Sequence, residues 1–439
     1  MLVTLALGVF AGALDLSVLS PALPAIGRDF GVQTGDLAWV FTLYLLVTVV
    51  SIAVASTLAD RYGRRSVYLT CIACFAAGSV LAIVAPNYLT LLAARALQAL
   101  GAGGIFPVAT AAIGDVVPRD RRGAALGMVA ATWGLAAVIG PIFGGLVTHF
   151  IAWRWIFAIN LPLAAIVFAL ARIHVPVGAP RRRQPLDVAG LILLCLGLLG
   201  IMDGLISSRF SVVALGVLAL IGFVLWERSA PFPVVPMVLF QTPQLAKTYA
   251  LEIVVGVLEG ALFFIPTVLV GAQNLSYVVA GLVAALGAFT FVAVIPAAGR
   301  ALDRIGSRDV LLIGTVLTEL GLAIFALGFG SIWLSLLAMI VAGAGFGALL
   351  GAPTRYIVTN ETPEGMRATA VGLLSQCLIA GQIVGSSLAG GLIGLATNEL
   401  LGYRHAYLGF AAVAFVAMIL AATLKSRRDE RTAPIEQAA

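Results

Sequence analysis

Ser56-Thr57-Leu58-Ala59-Asp60-Arg61-Tyr62-Gly63-Arg64-Arg65 is a charged island between two long apolar runs. Its pattern returns about 243 residues later as Leu302-Asp303-Arg304-Ile305-Gly306-Ser307-Arg308. Glycine permits the tight turn that two antiparallel helices need, and the flanking cations tie that end of the pair to the cytoplasmic face of a membrane. Working outward, Pro118, Gly127 and Gly140 match Pro363, Gly372 and Gly385 at nearly the same offset. A parallel duplication of a six-helix unit is the simplest account, and such repeats are typical of secondary transporters.

Composition sets the solvent. Of 439 residues, 61% are hydrophobic and 10% charged, against about 45–50% and about 25% in ordinary soluble domains. Water cannot solvate so much apolar surface, but lipid can. About fourteen apolar stretches reach the roughly 20 residues needed to span a bilayer, and the loops between them are too short for a soluble domain. The net charge of +6 resides in loop arginines and forms no face for nucleic acid. Cys71, Cys74, Cys195 and Cys377 sit inside apolar runs as small buried side chains. The three scattered histidines suggest no metal site.

Loops with Arg61, Arg64 and Arg65, with Arg119, Arg121 and Arg122, with Arg181, Arg182 and Arg183, and with Arg300, Arg304 and Arg308 alternate with nearly uncharged ones. The basic loops are expected in the cytoplasm, with both termini. Two six-helix halves leave one pair over, at about residues 188 to 227. The expected fold is therefore all-α and integral to the membrane. Residues 1–175 form one six-helix bundle, 176–243 a linker and inserted transmembrane hairpin, and 244–439 the second bundle with a short tail. The segment Arg181 to Pro185 and the proline-rich stretch Pro231 to Pro243 read as linkers.

The loop from Ser56 to Arg65 resembles the signature loop of the major facilitator superfamily, with Ser56 where that family usually has glycine. The resemblance implies the major facilitator fold, and a role for Asp60, Arg61, Gly63 and Arg64 in holding one access state closed. Leu91-x-x-x-Arg95-x-x-Gln98 is similar to the family's intramembrane arginine motif. Gly127, Gly140-Pro141 and Gly144-Gly145 resemble the antiporter motif of its drug-efflux branches, which adds Gly140 and Pro141 to the conformational switch. Trp153-Arg154-Trp155-Ile156-Phe157-Ala158-Ile159-Asn160-Leu161-Pro162, with Ala13-Leu14-Asp15 and Ala22-Leu23-Pro24, is similar to the fourteen-helix drug:proton antiporters.

Asp15, Asp115, Asp203, Glu252, Glu259 and Glu319 interrupt or border apolar spans, where a carboxylate is costly and a functional candidate by default. Asp115 and Asp203 lie near span ends and read as solvated or snorkelling. No role is assigned to Glu319. Glu252 and Glu259 are two helical turns apart and share a face. The resemblance places the first helix of each three-helix unit along the central cavity, so Asp15, Arg95, Glu252 and Glu259 are expected around the substrate path. An apolar setting disfavours an ionised carboxyl, and Asp15 or Glu259 is expected to exchange a proton as a cationic substrate arrives. Trp39, Tyr44, Trp133, Phe263 and Phe264 are candidates to face lipophilic cations.

The expected activity is proton-coupled export of small amphipathic, cationic or neutral compounds by a monomer in a bacterial plasma membrane. It needs no cofactor beyond the proton gradient. A proton:solute symporter and a non-transporting receptor or lipid-handling protein are the alternatives. Enzymatic work is not expected, since no nucleophile–base set, phosphate loop or metal cluster is evident.

Overall fold

Among the described residues, fourteen apolar helices, each long enough to cross a bilayer, follow one another. In order they are α1 (Leu2–Phe30), α2 (Ala38–Tyr62), α3 (Arg64–Ile83), α4 (Tyr88–Ile113), α5 (Gly127–Phe150), α6 (Trp155–His174), α7 (Val188–Ile206), α8 (Phe210–Glu227), α9 (Pro243–Gln273), α10 (Tyr277–Ile305), α11 (Ser307–Leu327), α12 (Ile332–Glu361), α13 (Thr369–Gly394) and α14 (Leu400–Ala422). This computed structural model describes residues 1–117, 122–175, 186–363, 366–395 and 399–427, and all regular structure among them is helical. Pro118, Arg119, Arg121, Arg181, Arg182, Arg183, Pro185, Arg428 and Arg431 lie outside the described residues.

Local chemistry sets the ends and breaks. Gly63 and Gly306 both adopt φ of +90°, a conformation that disfavours side chains, and each turns one span into the next within a single residue. Asn87, Asp187, Thr242 and Ser276 cap helix starts by accepting a backbone N–H with their side chains. α1 is broken by a 3-10 turn at Ser20–Ala22. Its repeat counterpart α9 breaks at Phe263 and Phe264, just before Pro266. In both, proline removes a backbone donor and the chain changes direction.

The two halves pack by one scheme. α1 lies on α5, α2 and α3 on α4, and α3 on α6. In the second half α9 lies on α13, α10 and α11 on α12, and α11 on α14. Between halves, α5 meets α10 and α2 meets α13, the reciprocal pairing a duplicated unit makes about a two-fold axis. The hairpin α7–α8 sits between the halves in sequence, and α7 packs on both α13 and α2. A methyl group at Gly391 of α13 would stand 2.1 Å from the Leu205 carbonyl oxygen, so the hairpin is pressed against the bundle.

The hairpin's far end is clasped. Glu227 is buried and accepts backbone N–H groups from Val234 (3.3 Å) and Val235 (2.9 Å), fixing the proline-bearing segment that follows. Asp187 caps α7 and accepts from Trp226 Nε1 at 3.0 Å.

The halves close at the end opposite the arginine-rich loops. A methyl group at Gly390 would lie 2.6 Å from the Gly35 carbonyl oxygen, and one at Gly145 would lie 2.5 Å from that of Tyr277. Phe41 stacks on Phe263 with centroids 4.6 Å apart, and Ser20 Oγ donates to the Phe263 carbonyl at 2.6 Å. At the arginine-rich end the bonds among the described residues run within a half. Lys425 pairs with Glu361 at 2.5 Å, and the Arg427 guanidinium donates to the carbonyls of Asp303 and Arg304.

Candidate functional site

Asp15 and Arg95 face each other from α1 and α4, fully buried, with Nη1 donating to Oδ2 at 2.6 Å. Gln98, one turn further along α4, donates to Asp15 Oδ1 at 3.0 Å and accepts from Arg95 Nη1 at 2.8 Å. Asn160 of α6 donates to the same carboxylate oxygen at 2.7 Å. Ser79 of α3 accepts from Gln98 and Asn160, at 2.9 and 3.3 Å. The Arg95 guanidinium also lies 4.1 Å over the Tyr44 ring of α2. Five helices of the first half thus meet at one neutralised charge pair. Arg95 Nη2 and Asn160 Oδ1 have no partner in this arrangement.

This geometry revises the expectation that Asp15 and Arg95 share a cavity with the two glutamates. The carboxylate, with three donors, and the guanidinium, with a carboxylate, an amide and an aromatic face, engage one another rather than the cavity, and Arg95 Nη2 alone of this pair's charged atoms is left without a partner among the described residues. The spacing of the motifs could not reveal this, since the partners lie 80 residues apart. Ser79, Gln98 and Asn160 were visible as polar residues inside apolar runs, the signal that intramembrane polar groups carry.

Glu259 differs. It is half-buried, accepts from Gln382 of α13 at 2.9 Å, and lines a cavity of about 190 Å³ between the halves. α1 and α5 contribute Leu16, Ser17, Ser20, Ala137 and Pro141, while α9, α10 and α12 supply the rest of the wall. Glu252, two turns away, is only 4% exposed. It has Thr354 as a hydrogen-bond partner and Arg355 nearby, and its Oε2 has no partner. The glutamates therefore share a helix face, but only Glu259 reaches the cavity.

Of the candidate aromatics, Phe263 lines the cavity, Tyr44 serves Arg95, Phe264 is buried in the core, and Trp133 is exposed. Glu319 is half-buried on α11.

The signature loop forms its own cluster. Arg64 pairs with Asp60 at 2.7 Å and with Asp115 at 3.2 Å, holding α2, α3 and the turn just beyond α4 together. Asp115, expected to be merely solvated, is thus part of the loop's charge cluster. Arg61 is exposed, with its guanidinium 5.1 Å over the Tyr62 ring. Gly140 and Pro141 serve two contacts. A methyl group at Gly140 would overlap Ser17 of α1, and the Pro141 carbonyl oxygen would lie 2.2 Å from one at Gly281 of α10. The motif therefore joins α5 to its own half and to the other.

The sequence matches the profile of the Major Facilitator Superfamily over residues 5–273 and 253–439, the whole length of the bundle. It is 30% identical to the multidrug resistance protein B homolog of Mycobacterium tuberculosis, over 81% of this chain and 70% of that protein. It is 29% identical to the tetracenomycin C resistance and export protein of Streptomyces glaucescens, over 89% of this chain and 75% of that protein. Among solved structures, a D-xylose–proton symporter shares the fold with a TM-score of 0.73 at 13% identity, covering 96% of this chain and 97% of that one.

Proposed function

Because the chain belongs to the Major Facilitator Superfamily, we propose that it is a proton-coupled exporter of small amphipathic compounds, an antiporter working by alternating access. The observation that carries this reading is the fully buried Asp15–Arg95 pair, whose carboxylate stands on α1, a helix that also walls the interhalf cavity. An ion pair in the membrane interior is expensive and is retained where charge must move. Asp15 binds the coupling proton in this scheme. Neutralising it removes the charge that holds Arg95, leaving Gln98 and the Tyr44 face as partners. Ser17 and Ser20 of the cavity wall lie within two turns of Asp15 on α1, so the same helix carries the change to the substrate.

With the arginine-rich end in the cytoplasm, both termini lie inside and the closed end faces outward. An exporter loads from the side that is then open. The Asp60–Arg64–Asp115 cluster at that end is the latch that rearranges when the halves rock, with Gly63 as its turn and Arg61 exposed at its rim. The Gly140–Pro141 contact is the pivot between α1, α5 and α10. The names of the tetracenomycin and multidrug relatives favour export of lipophilic compounds. The setting is a bacterial plasma membrane, with protons the only coupling partner.

Proteoliposomes with an imposed pH gradient test the proposal. An inside-acid gradient drives uptake of substrates from a drug panel, and adding substrate dissipates the gradient. Asp15→Asn abolishes both. Absence of gradient-driven flux across the panel, or full coupling in Asp15→Asn, overturns the reading. Uptake driven by an outside-acid gradient assigns a symporter instead.

A further inference from the structure

Ser307 stands in the second half's turn where Arg64 stands in the first, four residues after Asp303 as Arg64 is four after Asp60. A hydroxyl cannot reach as that guanidinium does, from the loop to a carboxylate just beyond α4. The cations that hold the matching end of the second half come instead from the chain leaving α14. The Arg427 guanidinium donates to the carbonyls of Asp303 and Arg304, and a methyl group at Gly306 would lie 2.8 Å from Arg427 Cβ. Lys425 pairs with Glu361 at the tip of α12, and its backbone N–H donates to Gln244 Oε1 at 3.1 Å. Lys247 of α9 donates to the Thr423 carbonyl at 2.9 Å. Between Thr423 and Arg427 the chain thus ties together α9, the α10–α11 turn and α12.

Glu361 belongs to a separable piece of α12. The helix stops at Leu349, turns through Leu350, Gly351 and Ala352, and resumes as Pro353–Glu361. Pro353 has no N–H to offer the preceding turn, and Gly351 puts no side chain into it, so the break has the makings of a hinge. The nine-residue piece packs on α9, α11 and α13, all of its own half. Near the hinge Thr354 hydrogen-bonds the buried Glu252, and at the far tip Lys425 holds Glu361. The tip contact is the one that water reaches, with the side chains of Lys425 and Glu361 38% and 22% exposed. An ion pair open to solvent is weak and easily released.

We propose that residues 423–427 are a strap that holds the cytoplasmic mouth open by pinning the hinged end of α12 to its own half. When the strap lets go, the piece swings about Gly351 toward the first half, the mouth closes and the outer loops part. The first half needs no strap, because Arg64 lies within its own loop and reaches both carboxylates from there. The device biases the access equilibrium whatever the cargo and whatever drives its movement, so it stands apart from the proton-coupled export proposed above.

Pulsed electron paramagnetic resonance on the full chain in nanodiscs, without substrate or gradient, tests the strap. Spin labels go on cysteines replacing Gln33 and Gly330, exposed residues in outer loops of opposite halves, with the four native cysteines changed to alanine. Lys425→Glu and Glu361→Lys each raise the ratio of the longer, outer-open separation to the shorter one about 3- to 10-fold, the weight of a partly exposed ion pair turned to repulsion. Combining the two reversals restores the wild-type ratio, and Arg427→Ala raises it as the single reversals do. Wild-type ratios in the single variants, or a double variant that keeps the single-variant ratio, overturns the inference. Should a reversal aggregate, Lys425→Met and Arg427→Ala decide in its place, and the wild-type ratio in both refutes the strap. Absence of gradient-driven flux refutes the exporter without touching this result, and an unchanged separation refutes the strap while leaving the exporter standing.

Discussion

Replacing Asp15 by asparagine and Arg95 by methionine, singly and together, measures what the buried pair contributes. In Arg95→Met the carboxylate keeps its bonds from Gln98 and Asn160 but loses the cation 2.6 Å away. In Asp15→Asn a carboxamide meets three donors where it has one good acceptor, and the guanidinium has no countercharge. Removing one member of a buried pair costs about 3–5 kcal/mol, whereas replacing both by uncharged groups of similar shape is often close to neutral. At roughly 2–4 °C per kcal/mol for a unit the size of one bundle, each single variant melts about 6–20 °C below the wild type. The double variant recovers most of that loss. Unfolding of a membrane protein in detergent is commonly irreversible, so midpoints are compared at one scan rate. Losses below about 1 kcal/mol in both single variants, or a double variant as unstable as the sum of the two, refutes the pairing as an energetic unit.

Gly390→Leu drives a side chain into the Gly35 backbone and Ala38 where the halves close. Overpacking of about 1–3 kcal/mol shifts the population toward opening at that end. A cysteine placed at Ser20 then reacts faster with an impermeant maleimide, and an unchanged rate refutes the closure. Glu227→Ala strips the acceptor from two backbone amides and costs about 1–3 kcal/mol locally. Limited proteolysis of residues 228–236 rises in the variant, and equal cleavage shows that the clasp does not hold that segment.

The repeat was readable because Gly63 and Gly306 must take the same left-handed turn, and such a demand restricts the residue type at both places. The fourteen spans followed from bulk hydrophobicity, since lipid rewards length and apolarity whatever the packing. The inserted pair was legible as the remainder after two equal halves. Pairing was another matter. Nothing local distinguishes Asp15, locked by three donors, from Glu259, which reaches a cavity, because the donors to Asp15 come from α4 and α6 and the cavity wall around Glu259 from α1, α5, α10 and α12. Asp115 looked solvated because it sits at a span end, yet Arg64 reaches it from 51 residues away. Sequence periodicity reports the face of one helix, and which face of another helix it meets is decided only by assembly.

The hairpin α7–α8 makes the two flanks of the molecule unequal. On one flank α7 covers the meeting of α2 and α13, and on the other α5 and α10 meet without such a cover among the described helices. When the halves rock, the first flank slides protein against protein. The second displaces the annulus of acyl chains around it. In the alternating-access cycle proposed above, bilayer thickness and fluidity would act as a mechanical load on the α5–α10 flank before the α2–α13 flank.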